Sequence, residues 1–197
     1  MCIRDRNSRA RLPHCYAIEH KDDEVLIVLE DLDTVGYDLR KLNPSWSDIE
    51  ICLEWLAKFH ASYLGRKSEE LWEIGAYWHL ETRPQELEVL KDFTLKEAAS
   101  KIDDKLNNCE YKTFVHGDAK LANFCFSSDG KVAGVDFQYV GGGCGMKDVA
   151  YFVGSCLNEN DCESLETKIL DTYFDYLHLA LGKKNEALEK EWRDLYH

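Results

Sequence analysis

The sequence predicts an α+β domain, and three observations carry that prediction. Two β-rich apolar runs open the chain around a turn, long segments of helical periodicity follow, and a cluster of short β-rich runs surrounds one polar stretch near residue 118. Strands and helices do not alternate one for one, so nothing points to a doubly wound parallel sheet. With 197 residues and 45% hydrophobic content, the chain can build one good core and a second small lobe.

Residues 15–20 and 24–29 flank the turn formers Lys21, Asp22 and Asp23 and read as a β-hairpin whose second strand is buried on both faces. Pro44 precedes Ser47-x-x-Glu50, a capping-box pattern. Ile49, Cys52, Leu53, Leu56, Phe59, His60 and Tyr63 then recur at helical spacing until Gly65 supplies a stop. A second helical stretch begins after Pro84, with Leu87, Leu90, Leu95, Ala98, Ile102 and Leu106 on its apolar face. Residues 113–115, 123–127 and 132–137 read as short strands, the last two joined by the turn Ser128-Asp129-Gly130. The glycines at 141, 142, 143 and 145 read as a flexible loop on the substrate side. Helices are expected over 147–157 and, opened by Asn160-x-x-Glu163, over 161–181. A last helical pattern with Leu188, Trp192 and Leu195 reaches residue 197 without a cap, which suggests a truncated end. Residues 1–9 show no hydrophobic period, and 1–13 are expected to form a non-native or disordered leader.

The net charge of −13, with no basic segment interleaved by aromatics, argues against nucleic acid and anionic membranes as partners. No apolar run approaches the ~20 residues that span a bilayer, and no signal peptide is visible, so the expected location is cytoplasmic. The eight cysteines include no C-x-x-C pair and mostly sit in apolar periodic segments. They read as reduced thiols packed as small hydrophobes.

The chemistry concentrates in His116-x-Asp118-x-Lys120-x-x-Asn123, followed eighteen residues after Asp118 by Asp136-Phe137-Gln138. Phosphoryl transfer needs a carboxylate to orient and deprotonate the attacking hydroxyl and a cation to offset charge on the transferred group. It also needs hard oxygen ligands for magnesium. Asp118, Lys120 and the pair Asn123 and Asp136 suit those roles in that order. His116 reads as a residue that fixes the loop by hydrogen bonding.

At these residues the chain resembles the protein-kinase-like superfamily, with its H-x-D-x-K-x-x-N loop and D-F-G strand end. It is most similar to the small-molecule branch: aminoglycoside phosphotransferases, choline kinases and ecdysteroid-kinase-like proteins, which write the loop as H-G-D and often lack the third-position glycine. His116-Gly117-Asp118 and Asp136-Phe137-Gln138 match that form. The resemblance implies a protein-kinase-like fold, ATP and Mg2+ as cofactors, and a small-molecule hydroxyl as acceptor. It casts Glu30, Asp31 and Leu32 as the hinge that holds adenine through backbone groups, and residues 56–61 as part of the first large-lobe helix. It gives Asp148 the task of bonding the catalytic-loop backbone, which is compatible with the preference for an acid in a first helical turn.

On the same resemblance, residues 14–32 are a remnant of the small lobe plus hinge, and 33–197 the large lobe. A glycine-rich loop and an ATP-anchoring lysine are not found ahead of the hairpin. The 197 residues are therefore expected to be an inactive piece of a kinase. The competing reading is a non-catalytic kinase-like binding module. A two-metal phosphoesterase using His116 and Asp118 lacks further ligands at metal spacing. His60 reads as a packed core histidine. Trp72, Tyr77, Trp78 and His79 read as core packing, with a substrate-pocket wall as the alternative. Neither the acceptor's identity nor the oligomeric state is written in the sequence.

Overall fold

A computed structural model describes residues 9–197 of the chain. It opens with the antiparallel hairpin β1 (Cys15–Lys21) and β2 (Glu24–Leu29). Helix α1 (Trp46–Tyr63) follows, then α2 (Pro84–Val89) and α3 (Phe93–Asn107). Four three-residue strands come next: β3 (Thr113–Val115), β4 (Phe124–Phe126), β5 (Val132–Gly134) and β6 (Gly141–Gly143). Helices α4 (Met146–Cys156), α5 (Glu159–Leu181) and α6 (Glu186–Tyr196) close the order. The strands form three separate two-stranded sheets, β1 with β2, β3 with β6, and β4 with β5.

The main core lies where α1 runs along α5. Ile49, Leu53, Leu56 and Phe59 of α1 are buried in one cluster with Leu170, Tyr173, Phe174 and Leu177 of α5, and Leu188 and Trp192 of α6 close it. Burying a large apolar side chain contributes about 1.5–3 kcal/mol, so this helical half supplies most of the stability. Phe114, Phe124, Phe126 and Val132 of the strand cluster are buried in the same core.

Several local expectations shift. The box that starts α1 is Ser45 with Asp48, two residues before the expected pair: Ser45 Oγ accepts from the Asp48 N–H, and Asp48 Oδ2 accepts from the Ser45 N–H. Likewise Asn158, not Asn160, caps α5 by accepting from Asp161 N. The expected helix after Pro84 is two helices, because Asp92 accepts from Leu95 N and starts α3 afresh. β2 is not buried on both faces: Val25 and Leu26 are 54% and 57% exposed. Among the described residues its sheet has only two strands, and much of its apolar surface stays open.

The glycines of 141–143 are a strand rather than a flexible loop. They pair antiparallel with β3 and bridge to Trp72, and a Cβ at Gly142 would stand 2.8 Å from the Glu73 carbonyl oxygen. Glycine is needed there for close backbone approach, which is why low β-propensity hides the strand. Residues 1–8 of the expected leader lie outside the described residues. Residues 9–13 are held in the fold: Ala10 is buried, and the Arg11 carbonyl accepts from Trp55 Nε1 at 2.9 Å and from Gly134 N at 3.2 Å. Cys52, Cys109, Cys125 and Cys144 are buried thiols. No helix among the described residues is long and apolar enough to cross a membrane.

Candidate active site

The polar stretch occupies the bend between β3 and β4. Gly117 makes the bend with φ of 83°, and a Cβ there would press into the Tyr139 backbone. Gly117→Ala is therefore expected to cost about 1–2 kcal/mol from the left-handed backbone alone, with the contact adding to it. Urea denaturation of the two proteins would measure this, and an unchanged midpoint would contradict it.

Asp148, three residues into α4 and 1% exposed, organises the bend. Its Oδ2 accepts from His116 N at 2.6 Å and its Oδ1 from Gly117 N at 3.0 Å. His60 of α1 reaches the same carboxylate through Nε2 at 3.0 Å, while its Nδ1 meets the Tyr173 hydroxyl at 2.7 Å. A carboxylate partner requires hydrogen on Nε2, so in the neutral ring Nδ1 accepts from Tyr173. Burial alone would raise the Asp148 carboxyl; the His60 hydrogen bond, the His60 and His116 charges and the Gly117 N–H outweigh it and hold it below the ordinary range. His116 in turn is pushed below its ordinary value by complete burial, partly offset by Asp148. Its Nε2 bonds the Val135 carbonyl at 2.8 Å and its Nδ1 accepts from Asp118 N at 3.3 Å.

Asp118 is 3% exposed. Its Oδ2 accepts from Lys120 Nζ at 2.8 Å and Asn123 Nδ2 at 3.0 Å, whereas its Oδ1 is buried with no hydrogen-bond partner. Asn123 Nδ2 also donates to the Asp118 carbonyl at 2.8 Å, so the amide nitrogen is committed to the loop. The Lys120 ammonium is raised above its ordinary value by its hydrogen bond to Asp118. Asp136 follows β5 with φ of 65°, a conformation that costs an L-residue energy and clusters at functional sites. Phe137 fixes that segment, its ring 4.6 Å from His116 and 6.2 Å from Trp55.

Glu30, Asp31 and Leu32 line a cavity of about 500 Å3 whose other walls include Ile27, Leu29, Val135, Asp136 and Phe137. One hollow thus joins the expected hinge to the end of β5. Of the hinge backbone, Glu30 N already donates to His14 O at 2.8 Å, and the Leu32 carbonyl already accepts from Tyr37 N at 2.9 Å. The Glu30 side chain is also engaged: the His14 N–H first, then Arg11, hold its carboxyl below the ordinary range. The backbone available to a ligand is therefore narrower than three free residues. Among the described residues no group of three or more His, Cys, Asp or Glu side chains is placed to hold a metal alone.

The aromatic cluster is divided: Trp72 is 60% exposed, His79 is buried, and Tyr77 lies beside the loop with its N–H donating to Gly117 O at 2.9 Å. Sequence reasoning missed His60 as part of the site and held Tyr77 only as the alternative to core packing. A histidine on an apolar helix face was the only local signal for the first.

A helical half carrying such a loop, with a small hairpin across a cavity, is the protein-kinase-like fold, and solved structures of small-molecule kinases share it. One is an amicoumacin kinase, hAmiN, in complex with AMP-PNP, Ca2+ and Ami, at TM-score 0.62 and 14% identity, covering 95% of this chain and 62% of that one. An aminoglycoside-3'-phosphotransferase of type VIII matches at TM-score 0.54 and 14% identity, over 96% and 75% of the two chains. A choline/ethanolamine kinase family protein from Mesorhizobium loti matches at TM-score 0.53 and 14% identity, over 94% and 63%. The chain thus spans less than two thirds of two of these proteins. No curated protein matches the sequence. The family model for ecdysteroid kinase-like proteins matches residues 2–77 and 62–186. The chain belongs to the ecdysteroid kinase-like family.

Proposed function

We propose that the protein to which this chain belongs is an ATP- and Mg2+-dependent phosphotransferase acting on a hydroxyl of a small molecule. The observation that carries the reading is the Asp118 carboxylate: one oxygen is fixed by Lys120 and Asn123, and the other is buried without a partner. A buried carboxylate oxygen left unsatisfied costs stability unless something else uses it. An acceptor hydroxyl donating to Oδ1 would satisfy it. In the transfer, that hydroxyl's proton passes to Asp118, its oxygen bonds the γ-phosphorus, and the bond from that phosphorus to the bridging oxygen breaks to release ADP. Lys120, next to Asp118, offsets charge on the moving phosphoryl group.

The metal site fits the donors. With its nitrogen committed to Asp118, Asn123 keeps its amide oxygen for a cation, and Asp136 offers a carboxylate at the cavity edge. Two oxygen ligands suit Mg2+, which keeps waters and takes its remaining ligands from phosphates. When bound, it would neutralise phosphate charge. The apolar walls Ile27, Leu29 and Leu32 suit the nucleoside. His116 and Asp148 hold the loop, and the location consistent with this chemistry is cytoplasmic.

The test is transfer from γ-labelled ATP to a panel of small alcohols by the complete protein, with and without Mg2+. Transfer is expected only with the metal and is expected to be lost in Asp136→Ala. Metal-independent transfer, or nucleotide binding without any transfer, would overturn the reading, the latter in favour of a binding module.

A further inference from the structure

Helix α4 places Asp148 and Tyr151 three residues apart, on one face. Asp148 fixes the backbone of 116 and 117; Tyr151 comes next along the same loop. Its ring packs beside Tyr77 at the loop that carries Asp118, and Tyr77 and Asp118 are the charged or ionisable neighbours that act most on its hydroxyl. That hydroxyl does not close a hydrogen bond to Asp118 Oδ1, which stays unpartnered. The ring is held firmly: Tyr77 lies 5.8 Å from Tyr151 and 5.7 Å from Tyr139, centroid to centroid. Tyr77 is pinned on its other side by Arg83, whose guanidinium sits 4.4 Å from the ring centroid and whose Nε donates to Tyr77 O at 2.9 Å.

Tyr77 N also donates to Gly117 O, which ties the ring that packs on Tyr151 to the loop. A buried carboxylate oxygen without a partner, with a phenol close to its loop, leaves room for a bridging hydroxyl. We propose that Tyr151 makes the second contact to the acceptor, its O–H donating to the acceptor oxygen while Asp118 Oδ1 takes the acceptor's proton. The hydroxyl would then be fixed at two points, which orients its lone pair toward the phosphorus. Tyr151 must stay protonated to donate. Burial first, then Tyr77 and Asp118, push its ionisation well above the ordinary tyrosine value, so it does. The inference rests on the phosphotransferase reading and adds a residue to it.

Two measurements decide it. In the chain carrying 13Cζ-labelled tyrosine, Asp118→Asn is expected to lower the Tyr151 ionisation midpoint by about one pH unit, since a neighbouring negative charge is removed. A midpoint that does not move removes the pairing. In the complete protein, with the alcohol that the panel above identifies, Tyr151→Phe keeps the ring and removes one hydrogen bond. The kcat for transfer should fall by about tenfold, with the KM for ATP within about twofold, and Tyr139→Phe should match the wild type. Transfer undiminished in Tyr151→Phe overturns this inference and leaves the phosphotransferase reading standing. A wild type that transfers to no alcohol overturns both.

Discussion

Asp148→Ala is expected to destabilise the chain by about 3–5 kcal/mol, the range for removing one member of a buried ionic network. For a domain of this size that is a fall in Tm of about 6–20 °C. The reason is what it leaves behind: the N–H groups of His116 and Gly117 and the Nε2 of His60, all buried and all without an acceptor. Asp148→Asn keeps the shape but replaces one acceptor by a donor that faces an N–H, so it should fall between. Calorimetry would check this, and a change under about 1 kcal/mol would mean that water or a local shift satisfies these groups. Asp129→Ala, at an exposed turn, is the control expected to leave Tm unchanged.

The same network fixes the sign of the pH dependence. His116 has a folded-state value below its ordinary 6.5, so the unfolded chain takes up that proton first and stability falls as pH drops below about 6.5. Protonation would also take Nδ1 away from the Asp118 N–H. Asp148 lies below its ordinary 3.8, so its contribution is present above that value and is lost as pH falls through the lower folded value. Both act in one direction. Tm should decline from neutral pH downward, and His116→Gln should flatten the upper part of the decline; a Tm that rises on acidification would contradict the assignment.

The loop could be read from sequence because its chemistry is local: Asp118, Lys120 and Asn123 lie within six residues and bond one another directly. Asp136 stood out because it ends an apolar run at a set distance from Asp118, whereas the hinge at Glu30 to Leu32 came only with the resemblance, since apolar strands ending in acids are common at any surface. The resemblance also supplied the bond from Asp148 to the loop backbone; what could not be read was the second layer of support, His60. His60 and Asp148 are 88 residues apart, and no spacing pattern links a histidine on one helix to the first turn of another. Tyr77 and Tyr151 are joined only by the fold. The glycine strand was hidden for the opposite reason, since its residues were chosen for the space they leave to Trp72 and Glu73 and not for strand propensity. Element types survived in the helices because α1 and α5 carry long apolar stripes. Their starts shifted by two residues because several polar residues in each lead-in could cap, and only tertiary packing selects Ser45 and Asn158.

Asp118→Asn in the complete protein is expected to lower kcat by about 10²–10⁴-fold, the usual worth of a positioned general base, with ATP binding changed by less than about threefold. The amide keeps the side chain's shape, so the loop should remain built around it. It cannot accept the acceptor's proton, and the charge partner of Lys120 is lost as well. Lys120 is 40% exposed at its side chain, so that loss should register in the transfer rate rather than in the melting temperature. The paired readout separates the roles. A variant that loses transfer, binds nucleotide and melts like the wild type has lost the base. One that loses binding too would assign Asp118 to the nucleotide site, and one that transfers at the wild-type rate would show that the proton leaves by another route.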